Sequence, residues 1–355
     1  MWPNRDLLDL FNIELPVIQA PMAGCNGAEL AAVVSETGGL GSLPCAMLSI
    51  DEIKSEVEYI RSTTSKPFNI NFFCHRESEI DSESIQRWRD CLAPYYQEFD
   101  LEFQPEYDKA SRQPFDDAAC ELMEELKPPV ISFHFGLPPE NLFQRVKRIG
   151  CRIMSTATTV AEATWLVDKG VDAIIAQGLE AGGHRGMFLS AELSSQVGTM
   201  ALVAQISKAV NVPVIATGGV ADGRGIAAAF ALGAAGAQIG TAYLLCLEAK
   251  TSALHRAALA GACDDNTALT NLFSGRPARG IVNRLMREQG PISADPPVFP
   301  FASVDLVPLR AKAEAQSITD FTSLWAGQAA SLARALPAAQ LTKDFVAEAQ
   351  GILQR

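Results

Sequence analysis

Short apolar runs recur along the first 250 residues, each closed by glycine or a polar turn and followed by a stretch with helical periodicity. The runs fall at 16–19, 40–43, 68–73, 129–135, 152–155, 171–176, 212–217 and 237–245. Between them, helix-like segments cover 29–36, 50–61, 140–149, 160–169, 199–210 and 224–232; in the second, apolar residues stand at 50, 53, 57 and 60. Strand and helix patterns alternating in this way predict βα units with parallel strands, and eight of them favour a closed TIM (β/α)8 barrel over an open doubly wound sheet. The rhythm breaks at 75–126, a charged and aromatic section read as an insertion after strand three, or as that strand's helix with an elaboration. Beyond residue 248 come an alanine-rich segment, a Gly/Pro/Arg stretch at 274–280 and a proline-rich run at 291–308. Two closing helices are expected at 309–316 and 317–334. The predicted organisation is a barrel over 1–250, including the insertion, with a C-terminal helical extension over 251–355 packing on it.

The last βα unit of the barrel, NVPVIATGGVADGRGIAAAFALGAAGAQIGTAYLLC (211–246), narrows the chemistry. Its first run ends at Gly218-Gly219, and its second is interrupted at Gly240-Thr241. Bare glycine N–H groups let an anion approach the backbone closely. The loops after strands seven and eight of this barrel type commonly form a phosphate site, so the unit reads as a handle for a phosphorylated cofactor. Glycines here would equally serve tight helix–sheet packing.

Composition restricts partners. A formal charge of −12 argues against nucleic acid and against an anionic membrane surface, since Lys/Arg patches supply that affinity. Eight cysteines lie scattered without CxxC or Cys/His ligand spacing, so no metal site is expected and reduced thiols in a cytoplasm are the default. No secretory leader and no membrane-length apolar run is visible.

Polar residues at the C-terminal ends of barrel strands carry the chemistry of this fold. Asn71, Gln177 and Gln238 can both donate and accept, as the pyrimidine edge of an isoalloxazine ring requires, and Met22 could pad the ring. Glycine N–H groups and the Thr241 hydroxyl would hold the phosphate. A buried Asn or Gln is as often a satisfied core group, so the weight rests on their coincidence at one end. His184, in a Gly-Gly-His-Arg-Gly turn after strand six, is the sharpest catalytic candidate. Near neutral pH it could donate a hydrogen bond or present positive charge to an anionic substrate, or simply bond a neighbouring carbonyl. His134 reads evenly as core or pocket wall, while His75 and His255 look peripheral. Arg276 and Arg279 reach the phosphate or substrate in one reading and line a solvated loop in the other.

The segments PVIQAPMAG (16–24), FNINFFCHR (68–76), FHFGLP (133–138), AQGLEAGGHRG (176–186), VIATGGVADGRG (214–225) and GAQIGTAYLLCLEA (236–249) together resemble the nitronate monooxygenase family. The resemblance implies a barrel carrying non-covalent FMN, with contacts from Met22, Asn71, Gln177, Gly182, Gly219 and the run Gln238, Ile239, Gly240 and Thr241; Gly218 joins them as the other half of the glycine turn. It implies His184 as the catalytic histidine, with a small anionic substrate and O₂ as partners. The implied reaction is oxidation of alkyl nitronates, the conjugate bases of nitroalkanes, to a carbonyl compound and nitrite. With only five tyrosines, and Phe299 and Phe301 in the proline-rich run, the chain departs from members acting on nitropropionate-type nitronates. Two other readings stay open: an NAD(P)H-dependent FMN reductase of the enoyl-thioester type, and a barrel that binds FMN or phosphate without turnover. Oligomeric state is not legible.

Overall fold

The computed structural model describes residues 2–354 except 77, 80 and 105–111. Its strands, in chain order, are β1 (Val17–Gln19), β2 (Gly41–Pro44), β3 (Phe68–Phe73), β4 (Val130–His134), β5 (Arg152–Ala157), β6 (Ala173–Gln177), β7 (Gly183–His184), β8 (Val214–Thr217), β9 (Gly236–Ile239), β10 (Thr267–Thr270) and β11 (Ala278–Ile281). Eight of them pair in parallel in the order β1-β9-β8-β6-β5-β4-β3-β2. The ring is completed by a parallel bridge between Ile18 and Leu40, with Gln19 N donating to the Leu40 carbonyl at 2.9 Å. This is a TIM barrel. Its strands are buried almost throughout, because helices cover the outside and side chains fill the inside.

Local chemistry sets the helix boundaries. Ser49 and Glu52 form a capping box before Ile50–Thr63. Thr159 caps Val160–Lys169, which ends on left-handed Gly170, and Asp222 caps Gly223–Ala231.

The section after β3 contains two helices with different roles. Asp117–Leu126 occupies the barrel-helix position, its Cys120 and Met123 packed in one core with Ile131 and Phe143. Ser82–Glu98 is the elaboration and docks on the C-terminal part of the chain. There Trp88 Nε1 donates to the Ala302 carbonyl at 3.2 Å, Tyr96 Oη to the Asp305 carbonyl at 2.6 Å, and Arg89 pairs with Asp305 at 3.0 Å.

Two expectations need correction, and one feature was not expected at all. The eighth barrel strand stops at Ile239, and Thr241–Leu245 forms a 3-10 turn, because Gly240 leaves extended geometry (φ −109°, ψ −80°). Residues 317–334 are not a helix. They run as turns and extended pieces around the barrel mouth, and the final helix is Ala338–Leu353, packed on Gly223–Ala231 through Glu348, which accepts from Gly223 N at 2.9 Å. Finally, β10 and β11 form a small antiparallel sheet with β7, placing Ala278 opposite His184. Among the described residues, no helix is long and apolar enough to cross a membrane.

Candidate active site

A cavity of about 160 Å³ opens at the C-terminal ends of the barrel strands. Met22, Asn71, Gln177 and His184 line one part of it, and Gly182, Gln238, Gly240 and Thr241 another. A smaller recess of about 50 Å³ adjoins it, bounded by Gly218 and Gly219 as well as Gly182, Gln238, Gly240 and Thr241. Nine of the ten residues expected to bind a cofactor therefore converge on these two spaces. The tenth, Ile239, does not. Successive side chains of a strand face opposite ways, so with Gln238 turned inward Ile239 is buried in the core.

The recess is built from backbone. Gly218 and Gly219 have φ of +107° and +72°, a region costly for side-chain-bearing residues. A Cβ on Gly218 would stand 2.9 Å from Thr199 Oγ1 and 3.0 Å from Ala181 N. Gly182 is pressed against the C-terminal segment: a Cβ there would lie 2.5 Å from Gly327 N. That segment is stitched to the mouth by Gly327 N donating to Thr241 Oγ1 at 3.0 Å and Gln328 N donating to the Glu180 carbonyl at 3.0 Å.

The amide side chains divide their work. Asn71 Nδ2 donates to Ser132 Oγ at 2.9 Å. Gln177 is committed at both ends, Nε2 donating to the His184 carbonyl at 3.0 Å and Oε1 accepting from Gly186 N at 2.8 Å. It lines the cavity yet acts as the clamp of the 184–186 turn. Gln238 Oε1 is buried with no hydrogen-bond partner among the described residues. A buried acceptor left bare is costly, so this atom marks where a ligand's donor belongs.

His184 is half-buried with its ring among aromatics, 5.5 Å from Phe299, 5.4 Å from Trp325 and 6.1 Å from Phe73 between centroids. Its Nε2 lies 2.8 Å from Ser274 Oγ. Burial, then the neighbouring Arg112, His134 and Arg276, hold its pKa well below the ordinary histidine value. The ring is therefore neutral at pH 7, and the expected positive charge does not reside on it. His134 is pocket wall: its Nε2 donates to the His184 carbonyl at 3.2 Å, its Nδ1 accepts from the Thr156 hydroxyl at 3.1 Å, and burial pushes its pKa down to about 3.

The two late arginines are held by main-chain carbonyls rather than standing free on a loop. Arg279 is buried and donates to the Leu179 carbonyl at 3.1 Å, while the Arg276 guanidinium lies 4.0 Å over the Phe135 ring and donates to the Met187 carbonyl. His75, set aside as peripheral, is buried edge-on to Phe299 at 4.8 Å. His255 donates from Nε2 to the Trp325 carbonyl at 3.1 Å.

Sequence reasoning missed two wall residues, Arg112 and Trp325, and the partner of His184 behind the wall, Ser274. Arg112 lines the cavity 5.9 Å from the Phe299 centroid, with Nη1 buried and unpartnered among the described residues. Burial lowers its pKa to about 10, which leaves it cationic at neutral pH. No local pattern marks any of the three, since each meets His184 or the cavity only through long-range folding. Among the described residues, no group of three or more His, Cys, Asp or Glu could hold a metal ion.

A parallel barrel with a backbone-built recess beside a histidine-walled cavity defines a small-molecule enzyme of the barrel class. The family model described as nitronate monooxygenase matches residues 4–348. The nitronate monooxygenase of Pseudomonas aeruginosa is 41% identical over 345 residues, 96% of this chain and 98% of the relative; that of Paraburkholderia phytofirmans is 41% identical, covering 97% and 95%. Among solved structures, the nitroalkane oxidase of Streptomyces ansochromogenes superposes with a TM-score of 0.88 at 37% identity, covering 98% of each chain. FabK from Thermotoga maritima gives 0.73 at 26%, covering 100% and 98%. The chain belongs to the nitronate monooxygenase family, and it is an oxidoreductase.

Proposed function

We propose that this protein oxidises alkyl nitronates with O₂ to a carbonyl compound and nitrite, using non-covalently bound FMN. The observation that carries the cofactor is the pairing of the Gly218–Gly219 recess with the unpartnered Gln238 Oε1. The recess offers backbone N–H groups to a phosphate, and Gln238 offers an acceptor to the imide N–H of a flavin ring. Asn71, Met22 and Thr241 would complete that contact set. Bound FMN would supply the redox chemistry, taking electrons from the substrate and passing them to O₂.

The chain's own residues attend to charge and protons. Arg112 supplies the fixed positive charge for an anionic substrate, a role His184 cannot fill while neutral. His184, held by Ser274 and by the clamp on its carbonyl, donates a hydrogen bond to a nitronate oxygen or accepts a proton from a neutral nitroalkane. Phe73 and Trp325 in the cavity wall, with Phe299 packed behind against His184, would limit water around the reacting carbon.

The test is an anaerobic comparison of electron donors with the purified yellow protein. Bleaching by a nitronate without pyridine nucleotide, followed on aeration by nitrite release, is the expected result. Bleaching by NAD(P)H alone would instead support the reductase reading. Inertness to both donors would support a non-catalytic flavin-binding barrel.

A further inference from the structure

The contact between His184 and Ser274 has a chemical asymmetry that the proposed reaction does not yet use. A neutral imidazole carries one N–H and one lone pair. Nε2 faces Ser274 Oγ at 2.8 Å, and His184 Nδ1 makes no hydrogen bond to any described residue, so Nδ1 is the nitrogen left for a substrate. Because burial keeps the ring neutral, whatever Nδ1 must be, Nε2 must be the opposite. A nitronate oxygen needs N–H at Nδ1; the C–H of a neutral nitroalkane needs a lone pair there. The partner of Nε2 must then accept in one case and donate in the other.

A hydroxyl does both. The surroundings of Ser274 provide for each state. Its Oγ lies 3.3 Å from the Arg276 carbonyl and 3.4 Å from Arg276 N, and the side chain is only 1% exposed. When the Ser274 proton points to the Arg276 carbonyl, Oγ accepts from Arg276 N and from His184 Nε2–H, and all three contacts are satisfied together. That is the resting arrangement, with the Nδ1 lone pair toward the cavity. In the other arrangement the ring has exchanged tautomer through solvent, giving up its Nε2 proton to water and taking one from water at Nδ1, and rotation about Cβ–Oγ lets the Ser274 hydroxyl donate to the freed Nε2 lone pair. The geometry points to Ser274 as a positioning residue that lets one neutral histidine serve both protonation states of the substrate. With the nitroalkane, the C–H proton passes to Nδ1 and its bonding pair moves into the nitro group, giving the nitronate and an imidazolium. With the preformed nitronate, Nδ1–H only donates. This inference rests on the nitronate-oxidation reading above.

The prediction is directional. In Ser274→Ala, Nε2 loses its partner, and a buried bare lone pair is tolerated better than a buried bare N–H. The ring settles as the Nδ1–H form, keeping its hydrogen bond to a nitronate and losing the base. With FMN bound as in the parent, kcat/KM for a nitroalkane should fall at least about 100-fold, the low end of what a positioned base supplies. The value for the nitronate prepared from the same nitroalkane should fall far less, and Ser274→Thr, which keeps the hydroxyl, should restore the ratio. Independently, ¹⁵N NMR of the histidine-labelled holoenzyme, with four histidines in all, reads the tautomer directly. His184 should be Nε2–H at rest, shift toward Nδ1–H on adding nitrate (a planar oxyanion), and stay Nδ1–H in Ser274→Ala with or without nitrate. Equal losses for both substrates, or a nitrate-driven shift that survives in Ser274→Ala, would overturn the proposal. If the alanine variant fails to hold FMN, absence of the shift in the parent overturns it and presence supports it. Failure of the parent to oxidise either substrate would count against the reaction reading, while the NMR arm still decides the role of Ser274.

Discussion

The main-chain carbonyl of His184 accepts from His134 Nε2 at 3.2 Å, so the histidine that faces the cavity is anchored through its backbone by a second histidine that cannot ionise near neutral pH. Gln177 Nε2 reaches the same oxygen at 3.0 Å. Together they fix the peptide from which the His184 ring hangs. His134→Ala should therefore lower kcat by about tenfold or more while FMN stays bound, since catalytic groups lose effect when their orientation loosens. Steady-state turnover beside flavin absorbance at equal protein concentration checks this.

Replacing His184 itself is more severe. His184→Asn should keep FMN and lose at least about 100-fold in turnover, the contribution of a positioned acid or base. An unchanged steady-state rate would remove His184 from the mechanism.

Arg112 makes a separate prediction about binding. Arg112→Met removes the cavity's unpartnered cation, so KM for a nitronate should rise by about 10- to 100-fold, the worth of one charge-assisted hydrogen bond. KM for the corresponding neutral nitroalkane should change much less. Parallel shifts for the two would show that Arg112 only fills space.

The glycine recess can be tested without turnover. Gly219→Asp places a carboxylate beside the proposed phosphate, at a backbone conformation Asp tolerates better than most residues (φ +72°). The variant should fold with a melting temperature near that of the apoprotein and purify colourless. Normal flavin occupancy would contradict the proposed handle.

Acid should unfold the protein earlier than its carboxylates alone would. Burial lowers the pKa of His75 to about 4 and of His134 to about 3, and that of His184 well below 6.5, so the unfolded chain binds these protons more readily than the fold does. Their stabilising effect is complete above about pH 6.5 and is lost as pH falls, through about 4 for His75 and about 3 for His134, at up to about 1.4 kcal/mol per pH unit for each histidine. Urea midpoints at about pH 7.5 and 5.5 should differ, and less so in His134→Gln. A flat profile over that range would contradict the buried-neutral assignment.

The barrel was legible because its evidence is local. Each strand is an apolar run ending in glycine or a polar turn, and the helices carry their own periodicity, several with a side-chain cap as well. The lining of the two cavities was legible for a related reason: strand ends and Gly218–Gly219 announce themselves in sequence. Ile239 alone of the expected set lines neither cavity, because a motif covers consecutive residues whereas a strand turns only every second side chain inward. The C-terminal part was read poorly. Residues 317–334 look helical in isolation, but Ala326, Gly327 and Gln328 are drawn out along the barrel mouth by Arg279, Thr241 and Glu180, whose proximity no local pattern encodes. Arg112 and Ser274 were invisible for the same reason. Arg112 reaches the cavity, and Ser274 reaches His184, only where β3's long connection and β11's neighbourhood meet above the barrel.

The stitch between Gly327 and Thr241 has a consequence for how the protein matures. Thr241 leaves the ribosome well before Gly327, so a nascent chain can close its ring of strands while the rim of the cavity is still being translated. A chain ending shortly before residue 327 would therefore have its barrel without the bond that ties the later segment to Thr241.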